Sequence, residues 1–282
     1  MKILDEQKKQ IAKDLCNYVE IQGEGSANQA SRILQGVSNG TISNVINKKW
    51  DNIADSMWQN IKNQVCKKGD WVYVDIRPSV FIEKVIKDAA ENSNVKGLVG
   101  IAGGCKSKSI ERTEIDNVFT VSCHEYFSSR DFLEAICNSM GITVHSNRIS
   151  KIMQEIVKHV LKLKNPVIII DEADKLDKKV LYFFISLFNA LEGKCGLVMQ
   201  ATHYLKFFVK NGVDRGTKGF QEIYSRIGQI FLEVPKINLK DARKICKANG
   251  ITDDLIITKI YNSCNHDVRV IKNDVHAYLK SV

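Results

Sequence analysis

Proline is scarce in this chain, three in 282 residues, and no stretch is of low complexity. Both facts speak against long disordered linkers. No apolar run reaches the roughly 18 residues that a membrane helix needs, so no membrane partner is expected. The first residues, Met1-Lys2-Ile3-Leu4-Asp5-Glu6, lack the hydrophobic stretch of an export signal. The cysteines (Cys16, Cys66, Cys105, Cys123, Cys137, Cys195, Cys246 and Cys264) never fall in a C-x-x-C pair. A zinc ribbon is therefore not expected, and isolated thiols suit a reducing cytoplasm. Most of them read as small core residues.

What is present is ordinary for a globular protein: 44% hydrophobic and 26% charged residues. The chain is long enough for a sizeable core and for more than one domain. The net charge of +9 is unevenly placed. Residues 1–66 carry 8 basic and 7 acidic groups, residues 67–205 carry 19 and 17, and residues 206–282 carry 14 and 8, so the last stretch alone holds +6. A basic surface attracts nucleic acid by counterion release but also aids solubility, so charge does not choose between the two.

Periodicity divides the chain in three. Residues 1–66 read as all-helical, with helical spacing through Ile11, Leu15 and Val19 and with Ser26 as the N-cap of a helix over Ala27–Leu34. Gly36 then allows a tight turn, Val37 can plug between helices, and Ser38 or Asn39 can cap a second helix with Ile42, Val45 and Ile46 inward. That is the layout of a helix-turn-helix, whose outward Asn39, Thr41, Ser43 and Asn44 would meet bases or phosphates, with Lys48 and Lys49 on phosphates. A small helical bundle with a polar face gives the same pattern. Residues Gln59–Gly69 read as a connection.

From about Trp71 to Pro235, apolar strands alternate with helices. Strands are predicted over Gly97–Ile101, Val118–Ser122, Val167–Ile170, Gly196–Ala201 and Gln229–Val234, and helices over Ser129–Met140, Ile149–Leu163 and Lys179–Glu192. Such alternation predicts an α/β fold with a parallel sheet covered on both faces. Three helices close the chain after Asn238.

Two motifs carry chemistry. In Val167-Ile168-Ile169-Ile170-Asp171-Glu172 a buried strand ends in paired carboxylates. The C-terminal end of such a strand faces the ligand crevice. There Asp171 could hold hydrated Mg²⁺ and Glu172 could polarise an attacking water, the Walker B pattern, although a strand ending in a solvated acidic loop looks the same. Upstream, Gly100-Ile101-Ala102-Gly103-Gly104-Cys105-Lys106-Ser107 follows a strand and precedes a helix. It approximates the phosphate-cradling loop G-x-x-x-x-G-K-[ST], in which Lys reaches the phosphates and the hydroxyl binds Mg²⁺. Lys106 and Ser107 are in register; Gly100, Gly103 and Gly104 supply pliant backbone. Cys105 stands where the last Gly belongs, at an expected cost of roughly 1–2 kcal/mol for a Cβ in that conformation. A Gly-rich turn without a ligand is the alternative.

In this order, the motifs resemble the AAA+ ATPases, and more closely the DNA-transposition target-selection ATPases of the phage Mu B type, with IstB- and TnsC-like relatives. The resemblance implies three parts: a helix-turn-helix domain over 1–66, an AAA+ nucleotide-binding core over 67–236 and a helical lid over 237–282. It implies ATP and Mg²⁺ as cofactors, with Ser107 and Asp171 at the metal and Glu172 activating water. Thr202, after the strand Gly196–Ala201, would be the sensor 1 residue, though a capping Thr fits as well. In Ser225-Arg226-Ile227-Gly228, Arg226 would be an arginine finger reaching a neighbouring subunit's ATP; alone it reads as a surface ion-pairing residue. In Asn265-His266-Asp267-Val268-Arg269, Arg269 would face nucleotide as sensor 2. Lys206, Lys210, Arg215 and Lys218 would form a mobile basic loop tracking DNA, or simply a solvated loop. Lys108 departs from the small hydroxyl residue common after Ser107.

The partners implied are double-stranded DNA, further copies of the chain in a ring or helical filament, and a transposase. The setting implied is the cytoplasm of a bacterium, with the gene bacterial or phage-borne. Two alternatives stay open: a catalytically impaired DNA-binding scaffold, and a phage-type transcriptional regulator.

Overall fold

A computed structural model of the chain describes residues 5–21, 25–51, 53–65 and 71–281. Two compact units emerge, Met1–Val72 and Tyr73–Val282.

The first unit is helical: α1 (Asp5–Ile21), α2 (Ala27–Ile33), α3 (Asn39–Ile46) and α4 (Asp55–Val65). Ile11, Leu15, Val19, Leu34, Ile42, Val45, Trp58, Ile61 and Val65 form its core. Ser26 and Ser38 cap α2 and α3, each side chain accepting a backbone N–H of the first turn. Gly36 takes φ +70°, the turn that only a residue without Cβ enters freely. Val37 is 3% exposed, buried in the core between the helices.

Two expectations need correction. Gln59–Val65 is not a connection but the body of α4, and residues 66–70, including Cys66, lie outside the described residues. The helix was hidden because its apolar residues, Trp58, Ile61 and Val65, are set among amides and a lysine. Ile46 is not inward: it is 37% exposed, because α3 ends at this residue.

The second unit is built on five parallel strands in the order β2-β3-β4-β1-β5, namely β1 (Val95–Val99), β2 (Val118–Ser122), β3 (Val167–Asp171), β4 (Gly196–Ala201) and β5 (Phe231–Glu233). β1 starts two residues earlier than its apolar pattern suggested, and β5 is shorter. Alternate residues of a strand face opposite sides. Ile168, Ile170, Leu197 and Met199 pack under α7 (Ser129–Ser139), α8 (Ile149–Val160) and α9 (Lys178–Leu191). Val167, Ile169, Val198 and Leu98 pack with α5 (Arg77–Asn92) and Ile110 of α6 (Lys106–Glu111). This period-two alternation also places Asp171 and Gln200 on the face that carries α6. Beyond β4 come α10 (His203–Asp214) and α11 (Phe220–Arg226), and the chain closes with α12 (Leu239–Ala248), α13 (Asp254–Ser263) and α14 (Val268–Ser281). Five of the seven described cysteines are buried; Cys16 and Cys105 are partly exposed. No helix among the described residues is long and apolar enough to cross a membrane.

Candidate nucleotide site

β1 ends at Val99 and the loop 100–105 turns directly into α6. Gly103 has φ +70°, and a Cβ there would lie 1.9 Å from Asp267 Oδ1, so glycine is required twice over. Cys105 takes φ 63°, ψ 7°, the left-handed conformation that the motif asks of glycine. Burial, aided by the charge of Asp267, pushes its thiol up to about 11, so it stays protonated and unreactive at neutral pH. Lys106 folds back over the loop: Nζ donates to Gly100 O at 3.1 Å and Ile101 O at 2.7 Å. Burial lowers its pKa, while Asp171 and Asp174 oppose that shift. Lys108 points elsewhere, pairing with Glu111 and lying 5.0 Å over the Tyr73 ring.

Asp171 is the hub. It is 2% exposed. Its Oδ2 accepts from Ser107 Oγ at 2.6 Å, and its Oδ1 accepts from Glu172 N at 2.8 Å and Gln200 Nε2 at 2.9 Å. The loop hydroxyl and the strand-end carboxylate, 64 residues apart in sequence, thus meet directly. Hard oxygen ligands of this kind suit Mg²⁺, which takes one or two protein ligands and completes its shell from phosphates and water. Backbone amides of the loop, Lys106, Ser107 and Asp171 therefore fit a nucleotide with Mg²⁺.

Glu172 also sits at positive φ, 54°, and its carboxylate pairs with Lys175 at 2.7 Å. Non-glycine residues held there cost of order 1–3 kcal/mol and cluster at functional sites. Thr202 caps α10 and its Oγ1 donates to Asp174 Oδ2 at 2.6 Å, which ties the end of β4 to the loop after β3. Arg226 lies 4.1 Å over the Phe188 ring and donates to Asn189 Oδ1 at 3.0 Å, so within one copy it rests on α9 and not on the loop. Arg269 is exposed in the first turn of α14, and its charge acts on both Cys105 and Lys106.

Two residues that sequence reasoning passed over belong here. Gln200 is the sole polar residue inside β4, and that oddity was its signal. Asp267 precedes α14, accepts from Arg269 N at 2.7 Å and presses on Gly103, while Val268 N donates to Gly103 O at 3.1 Å. The segment 267–268 is thereby fastened to the loop.

Residues 91–206 match the family model of an AAA domain. The parallel order β2-β3-β4-β1-β5, with helices on both faces, is consistent with that match and gives the second unit a P-loop α/β core of the AAA+ fold with helical flanks. No curated protein matches the chain. Among solved structures, 28 chains match; one belongs to Drosophila ORC bound to DNA, at 13% identity and TM-score 0.44, covering 72% of this chain and 55% of that one. This chain thus spans about half the length of that relative.

The candidate DNA residues fall in both units. Asn39, Asn44, Lys48 and Lys49 are exposed and Thr41 and Ser43 half-buried, with Thr41 Oγ1 bonded to Ser38 Oγ at 2.9 Å. The expected basic loop is corrected: Lys206 and Lys210 lie on α10, because Leu205 and Val209 recur at helical spacing and are buried. Lys206 is also committed to Glu233 at 2.7 Å, holding that carboxyl below its usual range. Lys210, Arg215 and Lys218 are exposed, the last two in the turn before α11.

Cys105→Gly tests the loop. Relief of a left-handed Cβ, about 1–2 kcal/mol, is offset by the extra freedom glycine gives the unfolded chain, so stability in urea should change by less than about 1 kcal/mol. Steady-state phosphate release should rise once the left-handed Cβ at residue 105 is removed. An unchanged rate would show that the loop already accommodates Cys105.

Proposed function

We propose that this chain is an ATP-dependent DNA-binding protein that assembles on double-stranded DNA as a ring or helical filament and selects or delivers target DNA to a transposase. The observation that carries the nucleotide half of this reading is the Ser107–Asp171 hydrogen bond beside Lys106, at the C-terminal edge of the sheet. When bound there, Mg²⁺ would neutralise charge on the β- and γ-phosphates. Lys106 would exchange its loop carbonyls for phosphate oxygens. Glu172 would leave Lys175 to orient water. Arg226, held over Phe188 at the end of α11, would serve a neighbouring copy's site.

The DNA half rests on the exposed amides and lysines of α3 and the turn after it, on Lys210, Arg215 and Lys218, and on the +6 balance of residues 206–282. The choice of a transposase as partner rests on the motif order alone. A second reading, a DNA-binding scaffold with little turnover, is favoured by Cys105 at φ 63°. Phosphate release with and without non-specific DNA separates the two, since only the main reading expects stimulation. Fluorescence anisotropy with two unrelated duplexes, with and without ATP, tests the DNA half. Comparable ATP-dependent binding to both is expected. Tight binding to one duplex, indifferent to ATP, would move the assignment to a sequence-specific regulator.

A further inference from the structure

Gln200 is fully buried in β4, between Asp171 of β3 and Leu98 of β1 in the strand register. Its Nε2 donates to Asp171 Oδ1 at 2.9 Å. A carboxylate only accepts hydrogen bonds, so the amide must present its NH₂ group here and its orientation is settled by chemistry. That leaves Oε1, which is buried and has no hydrogen-bond partner among the described residues. A buried carbonyl oxygen without a donor is costly and rare in native proteins, and marks a place where water or an ion belongs. A hydrophobic residue would satisfy the strand better, as Val198 does on the same face two residues earlier.

We propose that Gln200 is a positioning residue of the metal site. Its Nε2 holds Asp171 in the orientation that also receives Ser107, and its Oε1 accepts a hydrogen bond from a water of the Mg²⁺ shell. The amide thus links carboxylate and water as a single unit, with donor and acceptor each used once. Asp171 already accepts three hydrogen bonds, from Ser107 Oγ, Glu172 N and Gln200 Nε2, so Oε1 adds an acceptor for shell water beside a nearly filled carboxylate. The inference rests on the nucleotide-site reading. It adds that metal affinity, and not nucleotide affinity, runs through β4.

The test uses the full chain and two variants, Gln200→Met, of similar length and without the amide, and Gln200→Glu, which keeps an acceptor but sets a second carboxylate against Asp171. ADP affinity is measured by calorimetry without divalent ions. Mn²⁺ affinity of the protein–ADP complex is measured by water-proton relaxation. In Gln200→Met, ADP affinity without metal should stay within about twofold of wild type. Mn²⁺ affinity should fall about 10- to 100-fold in Gln200→Met, the usual cost of removing a group that orients a metal ligand. In Gln200→Glu the Mn²⁺ affinity should become pH-dependent. Wild-type Mn²⁺ affinity in a folded Gln200→Met, as judged by its thermal transition, overturns the inference while leaving the nucleotide site intact; a purely structural amide would shift that transition alone. Should Gln200→Met not fold, wild-type and pH-independent Mn²⁺ affinity in Gln200→Glu overturns it instead. Absence of ADP binding by the wild-type protein defeats the nucleotide reading, and the inference falls with it.

Discussion

Alanine in place of Lys106 should weaken ATP–Mg²⁺ binding roughly 10- to 100-fold, the loss of a charge-assisted hydrogen bond worth about 1.5–3 kcal/mol. Lys106 is the one loop side chain whose cation already lies across the cradle, donating to Gly100 O and Ile101 O. Those carbonyls can be satisfied by water once Nζ turns to phosphate, so the exchange costs little. Burial that lowers the lysine's pKa also strengthens its pull on an anion, since less solvent screens the pair. The loop itself should survive the substitution. Gly103 stays fastened by Val268 N, Cys105 O still accepts from Ser109 Oγ at 2.8 Å, and neither bond involves the lysine side chain. Titration calorimetry of wild type and Lys106→Ala under one buffer decides the matter. Equal affinities would show that the Gly-rich loop is a turn and not a phosphate site.

Removing Lys210, Arg215 and Lys218 together should flatten the salt dependence of DNA binding by about 2.7 units in the log–log slope, at about 0.9 per lost phosphate contact. These three cations are exposed on α10 and in the turn that follows. Lys206 is left out deliberately. Its bond to Glu233 already neutralises it, and Lys206→Ala would expose that carboxylate and add repulsion of a different origin. A filament would multiply the effect, because linked copies bind at high effective concentration. Anisotropy from about 50 to 200 mM salt, the range over which such contacts lose most affinity, reads the slope directly. A triple variant with the wild-type slope would place the DNA contacts elsewhere, with α3, Lys48 and Lys49 next in line.

Much of this molecule is written locally. The run Val167–Ile170 is wholly apolar and β-branched, and it became a strand buried along its whole length because neighbouring strands and both helical layers demand no polar side. Ser26 and Ser38 announced the starts of α2 and α3, since a cap acts on amides two or three residues away. The requirement for a left-handed residue at 105 was equally legible, and Cys105 adopts it. Where local signals were weak, boundaries slipped. α4 was overlooked because its few buried residues stand in a polar setting, and α10 was taken for a loop because its lysines and glycine masked Leu205 and Val209.

The sequence by itself determined the alternation of strands and helices, the loop with Lys106 and Ser107, and the carboxylates at 171 and 172. All of these depend on periodicity and neighbours within a few residues. Only the tertiary structure decided the strand order, the meeting of Ser107 with Asp171, the seating of Asp267 on Gly103, the capture of Lys206 by Glu233 and the pairing of Gln200 with Asp171. Those contacts join residues 27 to 164 positions apart. Which of them form is set by the order in which strands lie side by side and by the register between them, and no local pattern in the chain encodes either.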